Sequence, residues 1–163
     1  MKYLDMYTDG SCLSNPGNGG WSVVVANPSG EVVEVLSGSE QLTTNNRMEI
    51  TAVLNALYHA WSNSSAYNVF RVFSDSAYTL NTINRKWYVG WQQNGWKTKA
   101  GGPVKNVDLW EAIAEAMEQL RRGRVEVHLI KVKGHSGNVL NEMADKYAKE
   151  EASSCVDNYT SAC

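Results

Sequence analysis

The sequence predicts an α/β fold in which helices pack on a mixed sheet. Three observations predict it. Apolar residues alternate in short runs through residues 3–36, the spacing becomes helical from Thr44, and strand and helix patterns then alternate to residue 148. A strand, a helix and another strand in succession require a crossover, so the fourth strand is expected to run parallel to the first.

The first three strands are expected at residues 3–8, 21–26 and 31–36. Asn27-Pro28-Ser29-Gly30 supplies the turn between the second and third, which makes an antiparallel meander. A helix then begins near Thr44, with Ile50, Val53, Leu54, Leu57 and Trp61 as one buried stripe. Asn63-Ser64-Ser65 ends it before a strand at residues 68–73. Helical patterns return at residues 76–83 and 107–120, and residues 125–132 read as the fifth strand. The last helix carries Leu140, Met143, Ala144, Tyr147 and Ala148 at i, i+3, i+4, i+7 and i+8. Residues 1–152 are expected to form the domain, and the small, polar stretch 153–163 a flexible tail.

The chain has 163 residues, enough for one domain with its own core, and no internal repeat suggests a second. A hydrophobic content of 43% is ordinary for a soluble protein, and no run approaches the roughly 20 apolar residues of a membrane span. The opening Met1-Lys2-Tyr3-Leu4-Asp5 meets an acid before a signal-peptide core can form, so a cytoplasmic protein is expected. Three cysteines, Cys12, Cys155 and Cys163, are odd in number and unevenly spaced. That pattern argues against a disulfide framework or a thiolate zinc site and predicts reduced thiols.

A net charge of −2 does not by itself point to a nucleic-acid partner. The distribution says more. Between Ser76 and Val107 there is no acidic residue, yet Arg85, Lys86, Lys97, Lys99 and Lys105 fall there among Trp87, Trp91 and Trp96. Arg121, Arg122, Arg124, Lys131 and Lys133 form a second basic concentration. Phosphate contacts and base stacking can use either cluster, while the tryptophans have core packing as their alternative role.

Four acids come from four elements. Asp9 ends the first strand pattern, Glu49 lies in the first turns of the long helix, Asp75 ends the fourth strand pattern, and Asp145 sits in the last helix. Hard divalent cations choose oxygen ligands, and two of them stabilise both the attacking and leaving oxygens of phosphoryl transfer. Each acid also has a plainer role available: Asp9 in a turn, Asp75 as a helix cap, and Asp145 in an ion pair with Lys149. Glu49 borders the packed face through Ala52, Val53 and Ala56, where a charge needs a partner. His135, set between Gly134 and Ser136-Gly137, suits a general acid or proton shuttle. His59 and His128 read as structural, and no spacing of His or Cys suggests zinc.

Thr8-Asp9-Gly10-Ser11-Cys12, Asn15-Pro16-Gly17, Thr43-Thr44-Asn45-Asn46-Arg47-Met48-Glu49, Ser74-Asp75-Ser76, and Lys133-Gly134-His135 followed by Asn141 and Asp145 occur in that order. Together they resemble a type 1 ribonuclease H over almost the whole chain. The resemblance implies a ribonuclease H-like fold, a five-stranded mixed sheet in order 3-2-1-4-5 with helices on both faces. It implies endonucleolytic hydrolysis of the RNA strand of an RNA–DNA hybrid, leaving 5′-phosphate and 3′-hydroxyl ends. Asp9, Glu49, Asp75 and Asp145 would be the metal ligands for two Mg²⁺ per site with substrate, Mn²⁺ being an alternative, and His135 would complete the catalytic set. Cys12, Asn15 and Asn45 match positions against the RNA minor groove, and Thr44 a phosphate contact on the DNA strand. Ser76, Trp87, Lys97, Lys99 and Asn141 complete the expected substrate contacts. The partner would be the hybrid alone, met by a monomer without a membrane.

Two departures stand out. Gln92-Gln93-Asn94 and Gly101-Gly102 occupy stretches often rich in lysine in bacterial members, and Ala77 stands where members often carry glutamine. Other readings are a hybrid-binding module without turnover and a DNA nuclease of the same superfold. The intact acids argue against the first, and Asn15, Asn45 and Cys12 against the second.

Overall fold

In a computed structural model, residues 2–133 and 138–155 are described. The strands are β1 (Tyr3–Cys12), β2 (Gly17–Ala26), β3 (Val32–Thr43), β4 (Val69–Ser74) and β5 (Glu126–Lys131). The helices are α1 (Asn45–Ser62), α2 (Ala77–Asn84), α3 (Trp87–Gln93), α4 (Val107–Arg122) and α5 (Val139–Ser154). The strands form one five-stranded sheet in the order β3-β2-β1-β4-β5. β1 pairs antiparallel with β2 and parallel with β4, β2 and β3 pair antiparallel, and β4 and β5 pair parallel.

Strand alternation divides the core between two faces. Leu4, Met6, Val23, Val25, Phe70 and Val72 pack with Ile50, Val53 and Leu57 of α1 and Trp110 and Ile113 of α4. Burying side chains of this size contributes roughly 1.5–3 kcal/mol each. On the opposite face Tyr7 and Val24 meet Ala144 of α5, flanked by Leu140, Met143 and Tyr147. The last-helix stripe expected from the sequence is therefore the seam that covers this second face. No helix among the described residues is long and apolar enough to cross a membrane.

Two glycines set how closely the helices approach. A Cβ on Gly10 would lie 2.4 Å from the backbone of Met48 and Glu49, so the start of α1 seats directly on β1. A Cβ on Gly20 would lie 2.4 Å from the Ala148 carbonyl oxygen, so α5 seats on β2 in the same way.

Several expectations need correction. β1 continues to Cys12, because antiparallel pairing with β2 extends to Cys12 opposite Gly19; Asp9 is thus inside a strand, not at its end. Trp61 is 45% exposed and leaves the α1 stripe, its ring lying against Gly123. α3 was not expected, since its sequence WYVGWQQ shows no clean helical period. α5 runs to Ser154, two residues past the expected boundary at 152. Cys12 is a free thiol, but Cys155 is disulfide-bonded, so the thiols are not all reduced; an odd count still allows one pair.

Candidate active site

The site forms where β1 and β4 part. Their parallel register ends at Tyr7 opposite Phe73, and Thr8 Oγ1 makes a last contact by donating to the Phe73 carbonyl at 2.9 Å. β1 goes on with β2 alone, Asp9 facing Ser22 in register. Asp75 follows β4 by one residue. There the Ser76 N–H donates to Ser74 Oγ at 3.1 Å, and Ser76 Oγ accepts the Thr79 N–H at 3.2 Å. Ser76, not Asp75, is therefore the N-cap of α2, and the Asp75 carboxylate is left to the site. Acids just beyond the carboxyl ends of parallel strands occupy the usual ligand position of such sheets.

Glu49 reaches the same place from α1. Thr44 caps that helix by accepting the Arg47 N–H at 3.2 Å, and the Gly10 N–H donates to Glu49 Oε1 at 2.6 Å. Carboxylate oxygens of Asp9, Glu49 and Asp75 all lie within 4.8 Å of one another. Asp9 is 6% exposed and Glu49 8%. Glu49 Oε2 is buried and has no hydrogen-bond donor among the described residues. Its neighbour Asp9 is another carboxyl, and without a cation two buried carboxyls disfavour each other's ionisation. Burial, above all, raises the Asp9 carboxyl to about 7, with Asp145 and Asp75 adding to the rise. Burial likewise pushes Glu49 well above the usual carboxylate range, reinforced by Asp9 and Asp75.

Asp145 approaches from α5 and acts on Asp9, yet it stands outside the close trio. Lys149 Nζ lies 3.0 Å from its Oδ2. Asp145, expected as a fourth metal ligand, thus stands beside the trio and makes the i, i+4 ion pair with Lys149 that was its plainer role. His135 lies outside the described residues.

The expected RNA-groove set is brought together beside the trio. Cys12 Sγ donates to the carbonyls of Gly17 and Thr43 at 3.2 and 3.4 Å, and the Asn45 N–H donates to Asn15 Oδ1 at 3.3 Å. This ties the β1–β2 loop to the start of α1 and leaves Asn15 and Asn45 exposed. Asn141 is only 5% exposed, behind the Asn138 cap of α5. The basic segment divides as its chemistry suggests. Trp91 packs on Trp110 with ring centroids 6.0 Å apart and Trp96 lies against the core, whereas Trp87 is 39% exposed. Trp87, Lys97 and Lys99 line one groove with Lys86 and Asn94. Asn94 accepts the Lys97 N–H through Oδ1 at 3.1 Å and donates through Nδ2 to the Lys97 carbonyl at 3.0 Å, which fixes that groove's edge. In the second basic cluster Arg121 and Arg122 both bind Glu118, at 2.6 and 3.0 Å, which offsets one of their two charges.

Gly10 and Lys86 were not singled out as site residues. The adjacency of Gly10 to Asp9 was the available signal for the first, and membership of the acid-free stretch for the second.

The family model described as RNase H matches residues 1–153. Ribonuclease H of Rhizobium etli is 46% identical over 149 residues, 91% of each chain. Ribonuclease H of Syntrophomonas wolfei is 46% identical over 91% of this chain and 95% of its own, and that of Agrobacterium fabrum 45% over 92% and 94%. Among solved structures, LC9-RNase H1, described as a type 1 RNase H with the type 2 active-site motif, aligns with a TM-score of 0.71 at 30% identity, over 94% of this chain and 73% of that one. LC11-RNase H1 in complex with an RNA/DNA hybrid shares the fold, with a TM-score of 0.69 at 21% identity over 92% and 96%. With the whole sheet, its helices and the acidic trio in place, the chain belongs to the ribonuclease H family.

Proposed function

We propose that this ribonuclease H hydrolyses the RNA strand of RNA–DNA hybrids with two Mg²⁺ ions held by Asp9, Glu49, Asp75 and Asp145, leaving 5′-phosphate and 3′-hydroxyl ends. One observation carries the reading: three carboxylates within 4.8 Å, with a buried Glu49 Oε2 that no donor among the described residues satisfies. An oxygen-only set of this kind suits a hard divalent cation and fits neither a soft metal nor a redox centre. When bound, the cations supply charge stabilisation at the scissile phosphate and ionise the attacking water.

The protein's own residues do the rest. Gly10 fixes Glu49 through Oε1. Ser74 and Ser76 set the turn that presents Asp75. Asn15 and Asn45, each with a donor and an acceptor, read the 2′-hydroxyl and base edge of the RNA strand, with Cys12 lining that side. Thr44 and Ser76 complete the substrate contacts, with the buried Asn141 supporting the start of α5 behind them, and Trp87, Lys97 and Lys99 hold the DNA strand by stacking and charge. His135 carries a proton to or from the reacting phosphate oxygen. All four acids come from one chain, which supports action as a monomer; a cytoplasmic setting belongs to the same proposal.

Cleavage of a strand-labelled hybrid with and without Mg²⁺, beside Asp75→Asn protein, tests the reading. Cutting of the RNA strand alone, dependent on metal and reduced at least ~100-fold by the substitution, is expected. Tight hybrid binding without cutting would make this a binding module and overturn the proposal.

A further inference from the structure

One cation already stands at the edge of the acidic site. Lys149, one helical turn beyond Asp145 on α5, places Nζ 3.0 Å from Asp145 Oδ2, and its charge also acts on Asp9. Its neighbour Lys146 turns instead toward Glu150, at 3.9 Å. An exposed pair at i, i+4 ordinarily contributes little, because both partners stay solvated. The partner makes this pair different. The Asp145 side chain is 29% exposed and presses on the buried carboxyl of Asp9, yet its oxygens stand outside the 4.8 Å trio.

We propose that Lys149 is a positioning residue that holds Asp145 at the border of the site as its counter-charge before metal arrives, and that a divalent cation must displace it from Asp145 to gain the fourth carboxylate. Two effects of the ammonium have the same sign. It competes for Asp145 Oδ2, and its positive charge repels an incoming cation. Lys149 therefore sets the metal concentration at which the site fills. In the metal-free protein it also relieves repulsion among the acids. The inference rests on the proposed reading that these carboxylates hold divalent metal.

The test titrates Mg²⁺ alone into the whole chain by calorimetry and follows the Mg²⁺-induced rise in melting temperature. Wild type, Lys149→Met, Lys149→Gln, Lys149→Arg and Asp9→Asn are compared. Both neutral variants are expected to bind Mg²⁺ about 2- to 5-fold more tightly, the scale of one weak ion pair. Their melting temperatures rise further on Mg²⁺ addition, and half-maximal cleavage of the hybrid moves to lower Mg²⁺. Lys149→Arg, which keeps the charge, stays close to wild type. Equal or weaker Mg²⁺ binding by the neutral variants overturns the inference while leaving the metal site standing. Absence of any uptake in wild type that Asp9→Asn removes overturns the metal reading itself, and this inference with it.

Discussion

Asp9 and Glu49 are two carboxyls buried side by side, and their raised hold on protons is the clearest residue-scale consequence. Asp9 holds its proton to about pH 7, against an ordinary 3.8. A carboxyl that binds its proton more tightly in the folded state favours folding below the unfolded value and withdraws that contribution as pH rises through the folded one. Metal-free protein is therefore expected to lose stability between about pH 4 and pH 7, by on the order of a few kcal/mol at this pair. Thermal melts in chelator at pH 5 and pH 8 measure it. Asp9→Asn should flatten the decline, and Mg²⁺ should restore stability at pH 8, because the ionised acids bind it. A chelated wild type more stable at pH 8 than at pH 5 would contradict the raised proton affinity of these carboxyls.

At the scale of elements, the site depends on how closely α1 seats on β1. Gly10→Ala puts a methyl into the backbone of Met48 and Glu49, with no flexible side chain to yield. A loss of about 3 kcal/mol in urea unfolding is expected, and cleavage should fall further than stability because Glu49 moves with its helix. A second consequence concerns charge. Lys97 and Lys99 stand in one groove with Trp87, while Arg121 and Arg122 are held by Glu118. Reversing both lysines to Glu is expected to weaken hybrid binding and lower the slope of log K against log salt by about 1–2 units. Reversal of Arg121 and Arg122 should leave that slope nearly unchanged. Salt titrations of binding separate the two, and the opposite ranking would move the DNA-strand contact to α4.

Across the whole molecule Arg47 ties three elements together. Its guanidinium donates to Glu40 of β3 at 2.8 Å and, through two nitrogens, to both oxygens of Asp108 at the start of α4 at 3.0 and 2.6 Å. The paired guanidinium holds the Asp108 carboxyl below its usual range, and Asp108 in turn raises Arg47. A bidentate fork of this kind is stronger than an ordinary surface pair. Arg47→Met is expected to cost about 1–2 kcal/mol in denaturant unfolding and to loosen the start of α1, which carries Thr44, Asn45 and Glu49. Arg47→Lys should recover little, since an ammonium cannot make the fork. Full recovery by Lys would show that charge alone matters there.

By itself the sequence determined the order of the five strands and of every helix but α3, the helix stripes apart from Trp61, and the four acids as candidates, because period and turn chemistry are local properties of the chain. The helix start near Thr44, Asn27-Pro28-Ser29-Gly30 as a turn and the parallel return of β4 were legible for that reason. The ordered motifs carried the family and the sheet order that local patterns left open. Only the tertiary structure decided that Asp9 lies inside β1, because strand length is set by pairing with β2 and not by apolar alternation. It alone separated Trp87 from Trp91 and Trp96, since burial of a tryptophan depends on what packs over it. It decided too that Ser76 and not Asp75 takes the cap, and that the Asp145–Lys149 pair stands outside the close trio. Distances between side chains on different elements are properties of the packed molecule, and the chemistry of this site is made of such distances.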